Sequence, residues 1–454
     1  MKSLKILLLI YFTFFSVMIC FSQDASANTE QPAETSASLR RDRERILAFG
    51  LNTEVSGLIR EFITDKDISY SSQLLKLFET TTSDQIKRDI IELFSSAKSD
   101  VLIDKVTEMI SKRDSEARSV IVAGIRYIAE LNGVEDNHEI FIELLNDSQR
   151  DFRIEAVKAV TATGNKKFSE PLMQMYATED ETPVRLQILL DIGKLMDPAT
   201  IEFLKDIAFD TYQERLFRQY ALNSLGYLRD EESFNDIVAA FKEEDPFIRV
   251  YALTAAAKYD REEANEIIFE GMRDENWRIR KEAIAAAGER KGDNFTQILI
   301  FRAERDPVED VRIAALTALS EIGGKETFDF IRSIAEDPRR SAKMRLHAFT
   351  LAVNNDPGNS LVMVETVFQR ESTAANQRFL ESLASELCKV EYQGFAPIFE
   401  RMLDSSSVII RIAGLRGIRL NRISNLKDRV QALAEDQRQA AVIRNNAHAT
   451  LETL

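Results

Sequence analysis

One arginine recurs along most of this chain at a nearly constant interval, and no other feature constrains the fold as tightly. It follows an acidic turn and an apolar residue, and a small residue stands three positions after it. Clear copies are Pro183-Val184-Arg185, Phe247-Ile248-Arg249, Arg278-Ile279-Arg280 and Asp310-Val311-Arg312. The series runs Arg88, Arg118, Arg153, Arg185, Arg218, Arg249, Arg280, Arg312, Arg345, Arg378, Arg411 and Arg444, in steps of 30 to 35 residues. A period of that size is one supersecondary unit, which cannot bury its apolar face alone and must stack on its neighbours. The chain is therefore a repeat array, and its 454 residues do not imply several globular domains.

The unit reads as helix, turn, helix. In residues 293–323, Phe295, Ile298, Leu299 and Arg302 share one helical face, in a first helix ending near Arg305. Asp306-Pro307 follows, an N-cap residue and a proline suited to the first helical position. Val311, Ala315, Leu319 and Ile322 then form a core stripe, and Gly323-Gly324 closes the second helix. Asp245-Pro246 and Asp337-Pro338 carry the same punctuation. With only 16 glycines and 9 prolines, helices must be long and connections short.

The period and these residues resemble the HEAT family, in particular the short HEAT-like repeats of phycobilisome lyases, over about Leu39 to Leu454. The resemblance implies an all-α fold: an α-α superhelix, or armadillo-like HEAT solenoid, of about twelve two-helix repeats. It also implies an Asp at the turn and a Val-Arg pair opening the second helix, both structural. The copy around Arg88 (Ile86-Lys87-Arg88) departs most, as a capping unit would, and the tenth has Gln377 where others have an apolar residue. Ala156, Ala221, Ala252, Ala283, Ala315, Ala348, Gly414 and Ala447, three past the arginine, are expected to let second helices of adjacent repeats approach closely. The arginines themselves, among them Arg185, Arg218, Arg249, Arg280, Arg312, Arg345 and Arg411, are expected to bridge to acidic turns through their forked donors.

The first 22 residues read as a secretory signal: Lys2 and Lys5, an apolar run from Ile6 to Phe21, and small residues at Cys20 and Ser22. Cleavage after Ser22 places the protein in the periplasm or cell envelope. An uncleaved anchor and lipidation at Cys20 stay open as alternatives, and they are the routes to membrane association. Residues 23–38, polar and without apolar periodicity, read as a disordered linker before a solenoid over 39–454. After cleavage a single cysteine remains, Cys388, in an apolar helical run that predicts a buried, inert thiol.

Chemistry is sparse. His138, His347 and His448 lie in different repeats, with no cysteine cluster to complete a metal site. No phosphate loop or nucleophile elbow is present, so neither cofactor, metal nor catalytic residue is expected, and a lyase-like activity rests on the shared repeat alone. The net charge of -15 disfavours nucleic acid as the main partner. Function is expected on second-helix positions two and nine past each arginine, which line the concave surface in solenoids of this type. There the sequence collects Tyr127, Tyr220, Tyr227, Tyr251, Lys258, Glu282, Glu289 and His347, while Leu380, Leu387 and Ala413 make the later repeats blander. Tyrosine amid charge is the composition of interface hot spots. The expected function is an exported scaffold or adaptor that binds protein partners, with an exported binder of extended peptide or glycan as the rival.

Overall fold

The computed structural model describes residues 31–454, with side chains from Ser38 onward except that of residue 374. The signal segment 1–22 and linker residues 23–30 lie outside the described residues. Linker residues 31–38 are placed in the first helix. Among the described residues there are twenty-six α-helices and no strand. The chain divides into two compact units, up to Leu131 and from Asn132.

The first unit holds α1 (Gln31–Phe49), α2 (Asn52–Asp65), α3 (Ser71–Thr80), α4 (Asp84–Ser96), α5 (Ile103–Ser111) and α6 (Arg118–Glu130). Helix α2 packs on α4 and α4 on α6, while α3 and α5 each back the helix that follows them. The α1–α2 hairpin is thus an extra pair before the repeat around Arg88. Its interior is aromatic and aliphatic: Phe62 stacks on Tyr70 with ring centroids 4.9 Å apart.

The second unit is ten pairs. They begin with α7 (His138–Leu145) and α8 (Arg150–Ala162), α9 (Ser169–Thr178) and α10 (Thr182–Asp191), then α11 (Ile201–Ala208) and α12 (Arg215–Leu228). Next come α13 (Phe234–Phe241) and α14 (Pro246–Ala256), α15 (Glu262–Gly271) and α16 (Trp277–Arg290), and α17 (Thr296–Arg305) and α18 (Glu309–Ile322). The last four are α19 (Lys325–Glu336) and α20 (Ala342–Asn355), α21 (Leu361–Glu371) and α22 (Gln377–Leu387), α23 (Ala396–Leu403) and α24 (Val408–Leu420), and α25 (Lys427–Glu435) and α26 (Ala441–Leu451). Each even-numbered helix packs on the next even-numbered one and on its own odd-numbered partner. The core lies between the two layers, where Val311, Ala315, Leu316 and Leu319 of α18 have no exposed surface.

Close approach uses different small residues from those expected. Gly414 faces Phe399, Met402 and Leu403 of its own first helix, and Ala283 faces Gly271 of its own first helix. At these two positions the residue three past the arginine therefore seals its own pair internally. Contact between second helices falls to glycines eight past the arginine. A Cβ on Gly226 would stand 2.8 Å from Ala255 Cα, and one on Gly288 2.9 Å from Ala318 Cα. Gly193 meets Ser224 in the same way; there α10 tightens into a 3-10 turn, Ile192–Leu195, and Ser224 Oγ donates to Leu189 O at 2.6 Å.

The arginine sits three residues into most second helices and spans to the end of the next first helix. Arg280 Nε and Nη2 donate to Asp306 at 2.7 and 2.8 Å, both partners buried. Arg153 pairs likewise with Glu179, Arg218 with Glu243, Arg249 with Asp274 and Arg345 with Glu371. Arg411 reaches a neutral Gln439, and Arg312 donates to Asp306 O at 2.6 Å. Arg185 makes no ion pair among the described residues; its guanidinium lies 4.4 Å from the Tyr176 ring centroid and 5.0 Å from that of Phe217.

Three members of the series are out of register. Arg118 is the first residue of α6 and Arg378 the second of α22, so their places are taken by Ile121 and Leu380. In α4 the bridging residue is Lys87, 2.7 Å from Glu116. At Leu380 the opposing turn offers Ser405, and no ion pair joins these two repeats at that level among the described residues. A cavity of about 640 Å³ lies there, walled by Phe368, Leu380, Ile398, Met402 and Ile410. Asp306 and Asp337 are not helix N-caps: their second helices begin at Glu309 and Ala342, capped by Val308 and Ser341. Asp245 does cap α14, accepting from Phe247 N at 2.8 Å.

Candidate partner-binding face

The outward side of the second-helix layer carries the candidate residues on α12, α14 and α16. Tyr220 and Tyr251 occupy matching positions on adjacent helices, ring centroids 6.2 Å apart with planes at 49°. About two turns further, Lys258 Nζ stands 3.9 Å from the Tyr227 ring centroid and 3.4 Å from Asn223 Oδ1. Each of the three rings is half-buried. A cation over an aromatic face contributes about 0.5–1 kcal/mol, more when desolvated.

Between α14 and α16 runs a groove of about 370 Å³ lined by Lys258, Glu282, Glu289, Arg229 and Arg290. Burial pushes the Lys258 ammonium below its ordinary value; Glu289 opposes that shift and Arg229 adds to it. Burial raises the Tyr251 hydroxyl, with Tyr220 and Glu282 adding to the rise. Arg290 closes the groove floor by donating to Ala257 O at 3.0 Å and Tyr259 O at 2.7 Å, satisfying the carbonyls at the end of α14. Sequence reasoning missed Arg229 and Arg290, which lie eleven and ten positions past their arginines, at the C-terminal ends of the helices.

Six candidates are thus gathered: Tyr220, Tyr227, Tyr251, Lys258, Glu282 and Glu289. His347 is not with them; it lies on α20 with Nε2 2.8 Å from Thr317 Oγ1 of α18, and burial together with Lys343 depresses its pKa. Tyr127 is also elsewhere. Because α6 is shifted by three residues, its ring is buried and its hydroxyl donates to Ser99 O at 2.6 Å. The same error of register misplaced Leu380 and Leu387, which are core residues. The face of α22 consists of Ser382, Ser385 and Lys389, so it is not bland there. Cys388 is buried at the end of α22, and burial raises its thiol. Among the described residues no group of three or more His, Cys, Asp or Glu could hold a metal ion, and no helix is long and apolar enough to cross a membrane.

Antiparallel helix pairs in two layers, with an arginine in most second helices and several of these reaching the next turn, define a HEAT-type α-solenoid. This chain belongs to the family of spirochaete HEAT repeat proteins, whose profile matches residues 47–450. Among solved structures it is similar to Kap121p at 13% identity, covering 93% of this chain and 54% of that one, with a TM-score of 0.40. Importin Beta in an ammonium sulfate condition matches at 10% identity over 92% and 67% of the two chains, TM-score 0.42. Human deoxyhypusine hydroxylase in complex with glycerol matches at 15% over 64% and 97%, TM-score 0.27. The chain spans about half the length of Kap121p. No curated protein matches the sequence.

Proposed function

We propose that this protein is an exported interaction scaffold that holds a protein partner on the second-helix face of α12, α14 and α16. Membership of a HEAT-repeat family supports a protein-interaction scaffold as the general role. The export half rests on the signal-like residues 1–22. The observation that carries the site is the pair of half-exposed tyrosines, Tyr220 and Tyr251, beside a lysine held over Tyr227. Rigid aromatic rings lose little conformational freedom on binding and dominate interface energetics. No catalytic role is assigned, since the groove holds no nucleophile paired with a base.

The test is in-cell crosslinking of the full-length chain beside its Tyr220→Ala/Tyr251→Ala variant. A specific envelope partner captured by the parent and reduced about tenfold with the folded variant supports the reading, at roughly 1.4 kcal/mol. Capture unchanged by the variant removes the site. Saturable binding of isolated glycans or short peptides, with no partner captured, would favour a ligand-binding protein instead.

A further inference from the structure

The same face changes character four helices along. Between α22 and α24 a second groove, about 520 Å³, is lined by Ile409, Ile412 and Leu420 together with Lys389, Arg416 and Arg419. Ile409 is 51% exposed and Leu420 40%, so apolar surface lies open beside the cations of the same groove. Lys389 is neutralised in part by Glu386 at 2.7 Å. Neither the Arg416 nor the Arg419 guanidinium has a hydrogen-bond or ion-pair partner among the described residues. Repeat arginines such as Arg153, Arg280 and Arg345 are pinned to carboxylates, whereas these two stand unpaired beside exposed isoleucine and leucine.

We propose that the α22–α24 groove binds an acidic, apolar peptide segment of the protein partner. The inference rests on the partner-binding reading above and specifies the chemistry of one end of that partner. Carboxylates of the segment pair with Arg416 and Arg419, and its apolar side chains cover Ile409, Ile412 and Leu420. An anionic bilayer fits less well, because Glu282, Glu289 and Glu321 stand exposed or half-exposed on the same face and would be repelled by a uniformly negative surface. A peptide carries its charge locally and avoids them. Helix α16 to α24 is four steps of about 8–10 Å, roughly 35 Å in all. An extended chain covers that in about eleven residues. The partner segment therefore bears its acidic, apolar end roughly that far from whatever engages the tyrosines.

The experiment uses the full chain and fluorescence anisotropy. The probe is a labelled synthetic twelve-residue peptide alternating Asp or Glu with Leu or Phe, beside its charge-inverted Lys/Arg counterpart and vesicles of mixed phosphatidylglycerol and phosphatidylcholine. The expected result is saturable, salt-weakened binding of the acidic peptide alone. Arg416→Glu/Arg419→Glu lowers its affinity at least tenfold with helical content unchanged, while Tyr220→Ala/Tyr251→Ala changes it less than twofold. Absence of acidic-peptide binding, equal binding of the inverted peptide, or indifference to the arginine reversal overturns the proposal. So does arginine-dependent binding of the vesicles in its place. Failure here leaves tyrosine-dependent capture of the partner intact, whereas failure of the wider reading shows as capture indifferent to every variant of the face.

Discussion

Arg280 is 6% exposed, and Asp306, whose carboxylate receives its guanidinium, is 1% exposed. Burial alone would raise the Asp306 pKa; the Arg280 hydrogen bonds, the Val308 N–H and the positive charges of Arg280 and Arg302 overcome it and hold the carboxyl below its ordinary 3.8. Glu371 is lowered too, against its burial, by Arg345 and Arg370. Both groups are depressed in the fold, so their contribution is complete above the ordinary carboxylate range and is lost as pH falls through the folded values. Asp306→Ala leaves Arg280 without a counter-charge and is expected to cost about 3–5 kcal/mol, read as a shift in the urea midpoint. The variant also loses part of the acid dependence of that midpoint below pH 3.8. The arginine and its bridge to an acidic turn were legible in the sequence. Whether that turn belongs to its own or the next repeat was not, because Asp-Pro reads as a helix start whether the carboxylate caps the following helix or receives an arginine from the preceding repeat.

Elements are spaced by their smallest residues. At Gly226 of α12 any side chain would meet the α14 backbone at Ala255. Gly226→Val is expected to force the helices apart and destabilise the fold by about 1–3 kcal/mol. Gly57 in α2 has nothing within 4 Å, so Gly57→Ala is expected to stabilise by about 0.8–1 kcal/mol through helix propensity alone. Thermal melting of the two variants separates packing from propensity. Helix pairs, their order and the stripe Val311, Ala315, Leu319 could be read from apolar spacing. The direction of each small residue could not: positions three and eight past the arginine are five residues apart, about 140° around the helix, and only the packed pair decides which side meets which neighbour. In α6 and α22 the arginine is displaced from its usual place, and counting from it moved buried Tyr127, Leu380 and Leu387 onto the face. Where the arginine kept its place, in α12, α14 and α16, the six clustered candidates were placed correctly relative to one another.

In the second unit each pair touches only its neighbours, so stability accumulates along the array instead of residing in one core. Removing residues 427–454, the pair α25–α26, is expected to leave α7–α24 folded. Circular dichroism should fall in proportion to the 20 helical residues lost, 9 in α25 and 11 in α26, with no wholesale unfolding. A collapse of the whole signal would contradict nearest-neighbour stabilisation. The repeat made the molecule's general plan readable from the sequence; interruptions of the repeat hid the remainder, since a displaced arginine and a missing one look alike until the turns are placed. The gap at Leu380 and Ser405 has a mechanical consequence. Neighbouring repeats with a buried arginine pair must break a charged, dehydrated bond before they part, whereas α21–α22 and α23–α24 have no ion pair at that level and are joined there by apolar contact and one hydrogen bond, Ser407 Oγ to Glu381 Oε1 at 2.6 Å. Under tension applied at Asn132 and Leu454, this joint, like those at Arg185, Arg312 and Arg411 that also lack an arginine–carboxylate pair to the next repeat, is expected to part before the paired ones, giving a low-force step in a single-molecule trace that Leu380→Arg/Ser405→Asp would be expected to raise.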